Sequence, residues 1–418
     1  MYRSKFPPSF LSSLLVLSLF FVSCSGHDNE ISPSEFFKTH VTWLADDERE
    51  GRLAGSAQEA AAANYIENLF LSFGLEPAGD ENTYLQHFRL TGPMPQAMQV
   101  DDHLSRNVAG IVQGTEYPDR FIIVGAHYDG QGNGGIISMN HGGEPDIHNS
   151  ADDNASGTAG LLWLAKEIAA DPLPVSVIFV AFSGEELGLL GSRYYAASME
   201  MPADSVLAMI NLDMIGRLEG RELTIFGTGT SDAWDGILDE VRHDSLTIRA
   251  SSSGSGASDH ASFYEVVIPV LHYFSGTHDD YHRETDTAEK IDYRSMEWIT
   301  WHASAVIREV SALSPDELNF LETEAERPAM MPTNGVSLGV IPDYGYPGEG
   351  FRIESVRGGS VAERAGILGG DVVVKMKEEP VADIMAYMQL LGDIEPGSTI
   401  PVVVRRGEEH IELSVTFN

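Results

Sequence analysis

Cysteine is nearly absent from this chain of 418 residues: Cys24 stands alone, so no intrachain disulfide can form in any compartment. Basic residues are scarce too, 26 Lys and Arg against 63 Asp and Glu, for a net charge of -37. Nothing resembles the basic stripe that phosphate neutralisation needs, which excludes nucleic acid as a partner. No internal repeat is present, and no low-complexity tract beyond the Gly-rich segment Gly130 to Gly143. What remains is the composition of an ordinary globular protein. Its length implies two or three domains, or one large and one small.

The amino-terminal run Phe10 to Val22, behind Arg3 and Lys5, reads as an export signal and is short for a membrane span. Ser23, the lone Cys24 and polar Ser25, Gly26, His27 and Asp28 resemble a bacterial lipoprotein signal, with Phe21 where Leu is usual. The resemblance implies that residues 1–24 are a signal ending at an acylated Cys24. The protein would then be exported and lipid-anchored to the bacterial cell envelope, at the outer membrane or in the periplasm.

Helix patterns are expected at Ile31 to Leu44, Ser56 to Phe73 (stopped by Gly74), Gly157 to Ala170, Asp232 to Arg242, Ala257 to Glu265 and Arg294 to Leu313. Between them lie Leu85 to Leu90, Asn107 to Val112, Phe121 to Ala126, Val175 to Phe182, Leu207 to Leu212, Glu222 to Phe226 and Ile268 to Phe274. Several of these are unbroken apolar runs, suited to strands buried on both faces. The alternation predicts an α/β domain over residues 31–313, with a central mostly parallel sheet flanked by helices. Ligands of such sheets bind beyond the carboxyl ends of the strands.

Those ends carry the chemistry. FIIVGAHYD supplies His127 and Asp129, VIFVAFSGEE supplies Glu185 and Glu186, and INLDMIG supplies Asp213. The stretch Asn149 to Gly157 adds adjacent Asp152 and Asp153, and HDDYHRETDT adds His278, Tyr281 and His282. Apolar strands that deliver carboxylates to one edge imply compensating positive charge, for which two divalent cations suffice. One carboxylate can hold two such ions about 3.5 to 4 Å apart, one on each oxygen.

The ordered pattern HxD, ADDNASG, SGEE, NLDM and YHRETDT resembles the two-zinc exopeptidases of the bacterial leucyl aminopeptidase and glutamate carboxypeptidase type. Their one-zinc relatives are the animal glutaminyl cyclases. The resemblance spans Ile31 to Leu313 and includes the segment around Gly51 and Arg52. It implies a zinc exopeptidase fold, of phosphorylase/hydrolase-like type, with two Zn²⁺ per chain: one bound by His127, Asp152 and Asp213, the other by Asp152, Glu186 and His282. Asp152 is thus the bridge and Asp153 a positioning residue, with a cis peptide between the two. Glu185 is the general base, Asp129 fixes the His127 tautomer, and Tyr281 hydrogen-bonds the oxyanion.

The activity implied is hydrolysis of the amino-terminal bond of peptides with a free amino terminus. The alternatives are a glutaminyl cyclase of the same fold and a silent peptide-binding ectodomain. His278 is the weaker candidate for the final ligand, Ser258 or Asp259 is expected to cap the helix that follows, and His141 and His148 to lie exposed or at the lip.

Residues 314–333, acidic and Pro-containing, read as a linker. Residues 334–418 alternate short strands with two helices, one of them Ile384 to Leu391, and SVAERAGILGGD resembles a small β-rich PDZ domain of the bacterial periplasmic-protease kind. That implies a loop at Ser337 to Val340 whose N–H groups receive the carboxyl terminus of a peptide or protein beside a strand edge.

Overall fold

The computed structural model describes residues 1, 31–140, 145–218, 222–314, 317–323, 336–342, 346, 348–356, 359–382, 386–387, 390–391, 394–407 and 409–417. The chain separates into Met1–Ser32 and Pro33–Asn418. The expected signal and Cys24, His141, and most of the expected helix at Ile384 to Leu391 lie outside the described residues. Among the described residues no helix is long and apolar enough to cross a membrane.

A nine-stranded sheet organises the larger domain. Its strands are β1 (Glu76–Pro77), β2 (Leu85–Arg89), β3 (Leu104–Val112), β4 (Tyr117–His127), β5 (Val175–Phe182), β6 (Val206–Leu212), β7 (Leu223–Phe226), β8 (Ile248–Ala250) and β9 (Val270–Phe274). The spatial order is β1-β3-β5-β4-β6-β9-β7-β8, with β2 also on β3. The centre, β5-β4-β6-β9, is parallel, while β3 and β7 join it antiparallel. The mostly parallel α/β sheet expected from the sequence is therefore present.

The unbroken apolar runs have a direct cause. Along β5, Val177, Phe179 and Ala181 enter the core on one face while Ile178, Val180 and Phe182 enter the core on the other. Successive side chains point to opposite faces, so a strand covered on both sides is apolar throughout. The first face carries α1 (Pro33–Leu44), α2 (Ala57–Phe73), α4 (Gly157–Ala170), α6 (Trp234–Glu240) and α8 (Tyr293–Ala312); the short α3 (Pro93–Ala97) lies apart from it. The second carries α5 (Leu190–Ser198) and α7 (His260–Tyr264). Helix α2 begins where Ser56 Oγ accepts from Glu59 N and ends at Gly74, whose φ of 85° is the left-handed cap that glycine adopts readily.

Behind the carboxyl edge sits Arg52, fully buried. Its guanidinium donates to the carbonyls of Leu44, Tyr128, Asn149 and Ser150 at 2.5 to 2.9 Å. It thereby ties α1, the end of β4 and the turn before α4 together. Burial pulls its pKa down to about 10, and Asp129, Asp286, Asp153 and Glu186 limit the fall.

The boundary drawn at residue 314 needs correction. Leu318 lies in the main core, and Leu321 N donates to Thr230 O at 2.8 Å, so residues 317–323 are packed structure, not linker. The carboxyl-terminal region forms a second, antiparallel sheet from β10 (Val340–Pro342), β11 (Phe351–Val356), β12 (Val372–Met376), β13 (Glu379–Pro380), β14 (Thr399–Arg406) and β15 (Glu409–Thr416), with α9 (Val361–Ala365) and its own core around Leu338, Phe351, Val373 and Val402.

Replacing Arg52 by Met removes the donor from four carbonyls at once, each costing about 1–3 kcal/mol when left unpaired in the interior. The Arg52→Met variant is expected to lose at least about 2–4 kcal/mol of unfolding free energy in urea titration. A change under about 0.5 kcal/mol would show that these bonds do not hold the edge together.

Candidate metal centre

The parallel strands end side by side, and each hands a titratable residue to the same edge: His127 closes β4, Glu185 and Glu186 follow β5, Asp213 follows β6, and His278 and His282 follow β9. Asp153 arrives from the tight turn Ala151–Ser156 that precedes α4.

That turn shows why one aspartate and not its neighbour faces the edge. Asp152 Oδ1 accepts from Gly216 N at 2.7 Å and its Oδ2 pairs with His278 Nε2 at 3.1 Å. Asn154 Oδ1 accepts from Met214 N and Gly157 N, and its amide donates to Leu212 O. Ser156 Oγ donates to Asp152 O and accepts from Ile215 N. The other polar side chains of the turn, Asp152, Asn154 and Ser156, are thus engaged with residues 212–216. Asp286 fastens the turn from behind, accepting from Asp152 N at 2.9 and 3.1 Å and from Asp153 N at 3.1 Å.

Only Asp153 faces outward, with Oδ1 3.3 Å from His127 Nε2 and Oδ2 3.2 Å from His282 Nε2. This corrects the assignment of the central role to Asp152: its two oxygens are already engaged, and Asp153 spans the two imidazoles. The cis peptide is likewise displaced by one residue, lying between Asp153 and Asn154.

Two clusters result. His127, Glu185 and Asp213 form one, Asp153, Glu186 and His282 the other, with the candidate ligand atoms of each within 4.8 Å of one another. Asp213 Oδ1 lies 3.3 Å and Glu185 Oε2 4.0 Å from His127 Nε2, and Glu186 Oε2 lies 3.5 Å from His282 Nε2. By distance Asp153 serves the first cluster better than Glu185 does, which makes Asp153 common to both. His127 Nε2 makes no well-formed hydrogen bond although these carboxylates surround it, and Asp213 Oδ1 is equally unpartnered. Imidazole nitrogens and carboxylate oxygens that converge without bonding one another are a donor set that fits Zn²⁺.

The electrostatics agree. Burial alone would lower His127, but Asp213, Glu185, Asp129 and Asp153 outweigh it and hold the imidazole well above its ordinary range. His282 is likewise pushed up, to about 9, because Glu186 and Asp153 overcome the effect of burial. Burial raises Glu186 to about 8 and Glu185 well above the usual carboxylate range, partly offset by His282 and His127 respectively. For Asp153 the two imidazoles overcome burial and hold it far below that range. Carboxylates in excess are drawing positive charge onto the imidazoles, a need that a divalent cation also meets.

Asp129 Oδ1 stands 3.6 Å from His127 Nδ1, beyond hydrogen-bonding distance, and accepts instead from Glu185 N at 3.3 Å. Tyr281 lies against His282 with ring centroids 3.9 Å apart and planes tilted by 32°, and packs against Met214, Phe226 and Phe274. His278 belongs to Asp152 and neither cluster. Ser258 does not cap α7: its Oγ donates to Asp213 Oδ2 at 2.6 Å, and Asp259, at the start of that helix, makes no capping bond either. His148 is buried, between Ser138 Oγ and Asp146 O, contrary to the expected exposed position. Asp286, Asn154, Ser258 and Arg52 are supporting residues that the sequence did not single out for these contacts; Asp286 carried a signal in its position within YHRETDT.

The sequence model of Peptidase family M28 matches residues 107–307. A probable zinc metalloprotease of Phaeosphaeria nodorum is 35% identical over 135 residues, covering 31% of this chain and 26% of that protein. The chain spans about a quarter of the length of the first curated relatives that it matches, 24 to 26%. Among solved structures, BSAP, a zinc aminopeptidase from Bacillus subtilis, superposes with a TM-score of 0.52 at 17% identity, covering 69% of this chain and 99% of the other. The glutaminyl cyclase of Porphyromonas gingivalis gives 0.53 at 18% identity, covering 66% and 98%. Over residues 107–307 the chain is thus similar in sequence to Peptidase family M28, and its fold is similar to that of BSAP.

Proposed function

We propose that the protein is a metallo-aminopeptidase that releases the amino-terminal residue of peptides, with two zinc ions per chain. The observation that carries this reading is Asp153, whose oxygens face His127 and His282 separately. His127, Asp153 and Asp213 would hold one ion, and Asp153, Glu186 and His282 the other. Bound there, zinc would acidify a water towards neutral pH and polarise the scissile carbonyl.

The protein's own groups account for the remainder. Glu185 sits beside the first cluster at 4.0 Å from His127 Nε2, and burial raises its pKa, which favours its accepting a proton. It takes the proton of the attacking water and returns it to the leaving amine. Tyr281, beside His282, would donate to the oxyanion of the tetrahedral intermediate, a role supported by its neighbourhood to the second cluster. A glutaminyl cyclase shares the fold, so glutaminyl substrates belong in the assay. For the carboxyl-terminal sheet we propose capture of a peptide carboxyl terminus at Ser337 to Val340, supported by β10 lying at the sheet edge. The lipid anchor at Cys24 and export to the cell envelope are proposed from the signal pattern alone.

With zinc, the protein is expected to release amino acids from aminoacyl-p-nitroanilides and unblocked peptides and not to cyclise glutaminyl peptides; the reverse result would establish a cyclase. Glu185→Gln is expected to retain zinc and lose roughly 10²–10⁴-fold in kcat. Full activity in that variant would remove Glu185 from the proton transfer.

Metal analysis separates the two aspartates. Asp153→Asn is expected to lose most bound zinc, whereas Asp152→Asn keeps it at near-normal stoichiometry. The opposite outcome would restore Asp152 as the bridge.

His127 and His282 carry raised pKa values, so their protons must leave before zinc binds. Protons compete less as pH rises, and zinc affinity is expected to increase with pH up to about 9, where His282 gives up its proton unaided. Titration in two buffers of different ionisation enthalpy should show protons released on binding. An affinity flat between pH 6 and 9 would contradict this electrostatic account.

A further inference from the structure

The segment after α8 does more than fill the core. Leu318 is buried, and Phe320 lies against Tyr264 with ring centroids 5.4 Å apart. Contacts concentrate at Thr323: its N and Oγ1 lie 2.8 and 3.1 Å from Tyr264 Oη, whose hydroxyl is also 3.2 Å from Thr323 O. The same Oγ1 accepts from Gly254 N at 3.1 Å.

Gly254 lies in the loop 251–256, of sequence SSSGSG. The near side of that loop is held by Thr228 N and Gly229 N, which donate to Ser251 O and Ser252 O at 3.0 and 3.1 Å. A Cβ on Gly254 would come within 2.3 Å of the Tyr264 ring and 2.5 Å of Thr230, so the loop is wedged at that point. Two residues beyond the loop stands Ser258, which accepts from Asn211 Nδ2 at 2.8 Å and donates to Asp213 Oδ2 at 2.6 Å. Asp213 Oδ1 then faces His127.

We propose that Thr323 is a positioning residue of the active site. Through Gly254 and Tyr264 it sets the 251–256 loop at the height from which Ser258 orients Asp213. A glycine- and serine-rich loop packs through few side chains, so the bond to buried Gly254 N adds a constraint on the far side to those at Ser251 O, Ser252 O and Ser253 Oγ. The inference rests on the reading of Asp213 as a zinc ligand in an aminopeptidase.

The test uses the full chain with Thr323→Val, which keeps the shape and removes the hydroxyl, and Thr323→Ser, which restores it. The readouts are kcat and KM on Leu-p-nitroanilide, the rate of zinc loss to a weak chelator, and Tm. Thr323→Val is expected to lower kcat and speed zinc loss by roughly 10-fold, as for other residues that orient a ligand, with KM within about twofold. Thr323→Ser should recover most of both, and Tyr264→Phe, which removes the bonds to Thr323 N and O as well as to Oγ1, should produce the same two defects by itself. Wild-type kcat and zinc loss in Thr323→Val would overturn the proposal, as would a fall in Tm with both unchanged, or equal defects in Thr323→Ser. If the wild-type protein binds zinc but cleaves no peptide, the activity reading fails and the zinc-loss rates alone decide the inference.

Discussion

Repulsion among carboxylates gathered at one edge of the sheet is the constraint around which this structure is arranged. Asp129, Asp153, Glu185, Glu186, Asp213, Asp259 and Asp286 are held close together, and their charges are felt in one another's protonation: burial takes Asp259 and Asp286 up to about 7. Hydrophobic collapse alone would drive such groups apart or neutralise them. The fold keeps them together by placing Asp129, Glu185, Glu186 and Asp213 just beyond strands β4, β5 and β6, whose apolar bodies are locked between two cores, while Asp153, Asp259 and Asp286 come from the turn before α4, the start of α7 and the loop after β9.

Countercharge comes in layers. Nearest are His127 and His282, whose imidazoles both face Asp153. Behind them stands Arg52, which bonds four carbonyls and no carboxylate, and so contributes positive potential while serving as a mechanical tie. Backbone N–H groups form a further layer: Asp286 accepts from residues 152 and 153, and Asp152 from residue 216. These donors satisfy lone pairs without adding charge, and the net negative potential is left at the place where two imidazoles and Asp153 converge.

The sheet could be read from the sequence because β4, β5 and β6 are apolar on both faces, a pattern with few other uses, and the edge residues followed from where those runs stop. The choice between Asp152 and Asp153 could not. It depends on Gly216 N–H and His278 capturing the first carboxylate, contacts made across 64 and 126 residues. Neighbouring aspartates differ in nothing local. A similar ambiguity hid Ser258, since a hydroxyl before a helix suits a cap as well as it suits Asp213. Residues 317–323 were concealed by composition: acidic neighbours outweigh Leu318, which is buried in the main core, Phe320, which lies against Tyr264 of α7, and Leu321, whose N–H bonds Thr230 O.

The order in which these parts occur along the chain matters for a growing polypeptide. Arg52 contributes early, the strand ends follow from residue 127 onward, and His282 and Asp286 come only after the whole central sheet has been encoded. Until they emerge, Asp153 has one imidazole instead of two and the turn that carries it lacks its rear fastening. An unfinished chain therefore holds carboxylates but no assembled centre until residue 286 of the 418 has been added.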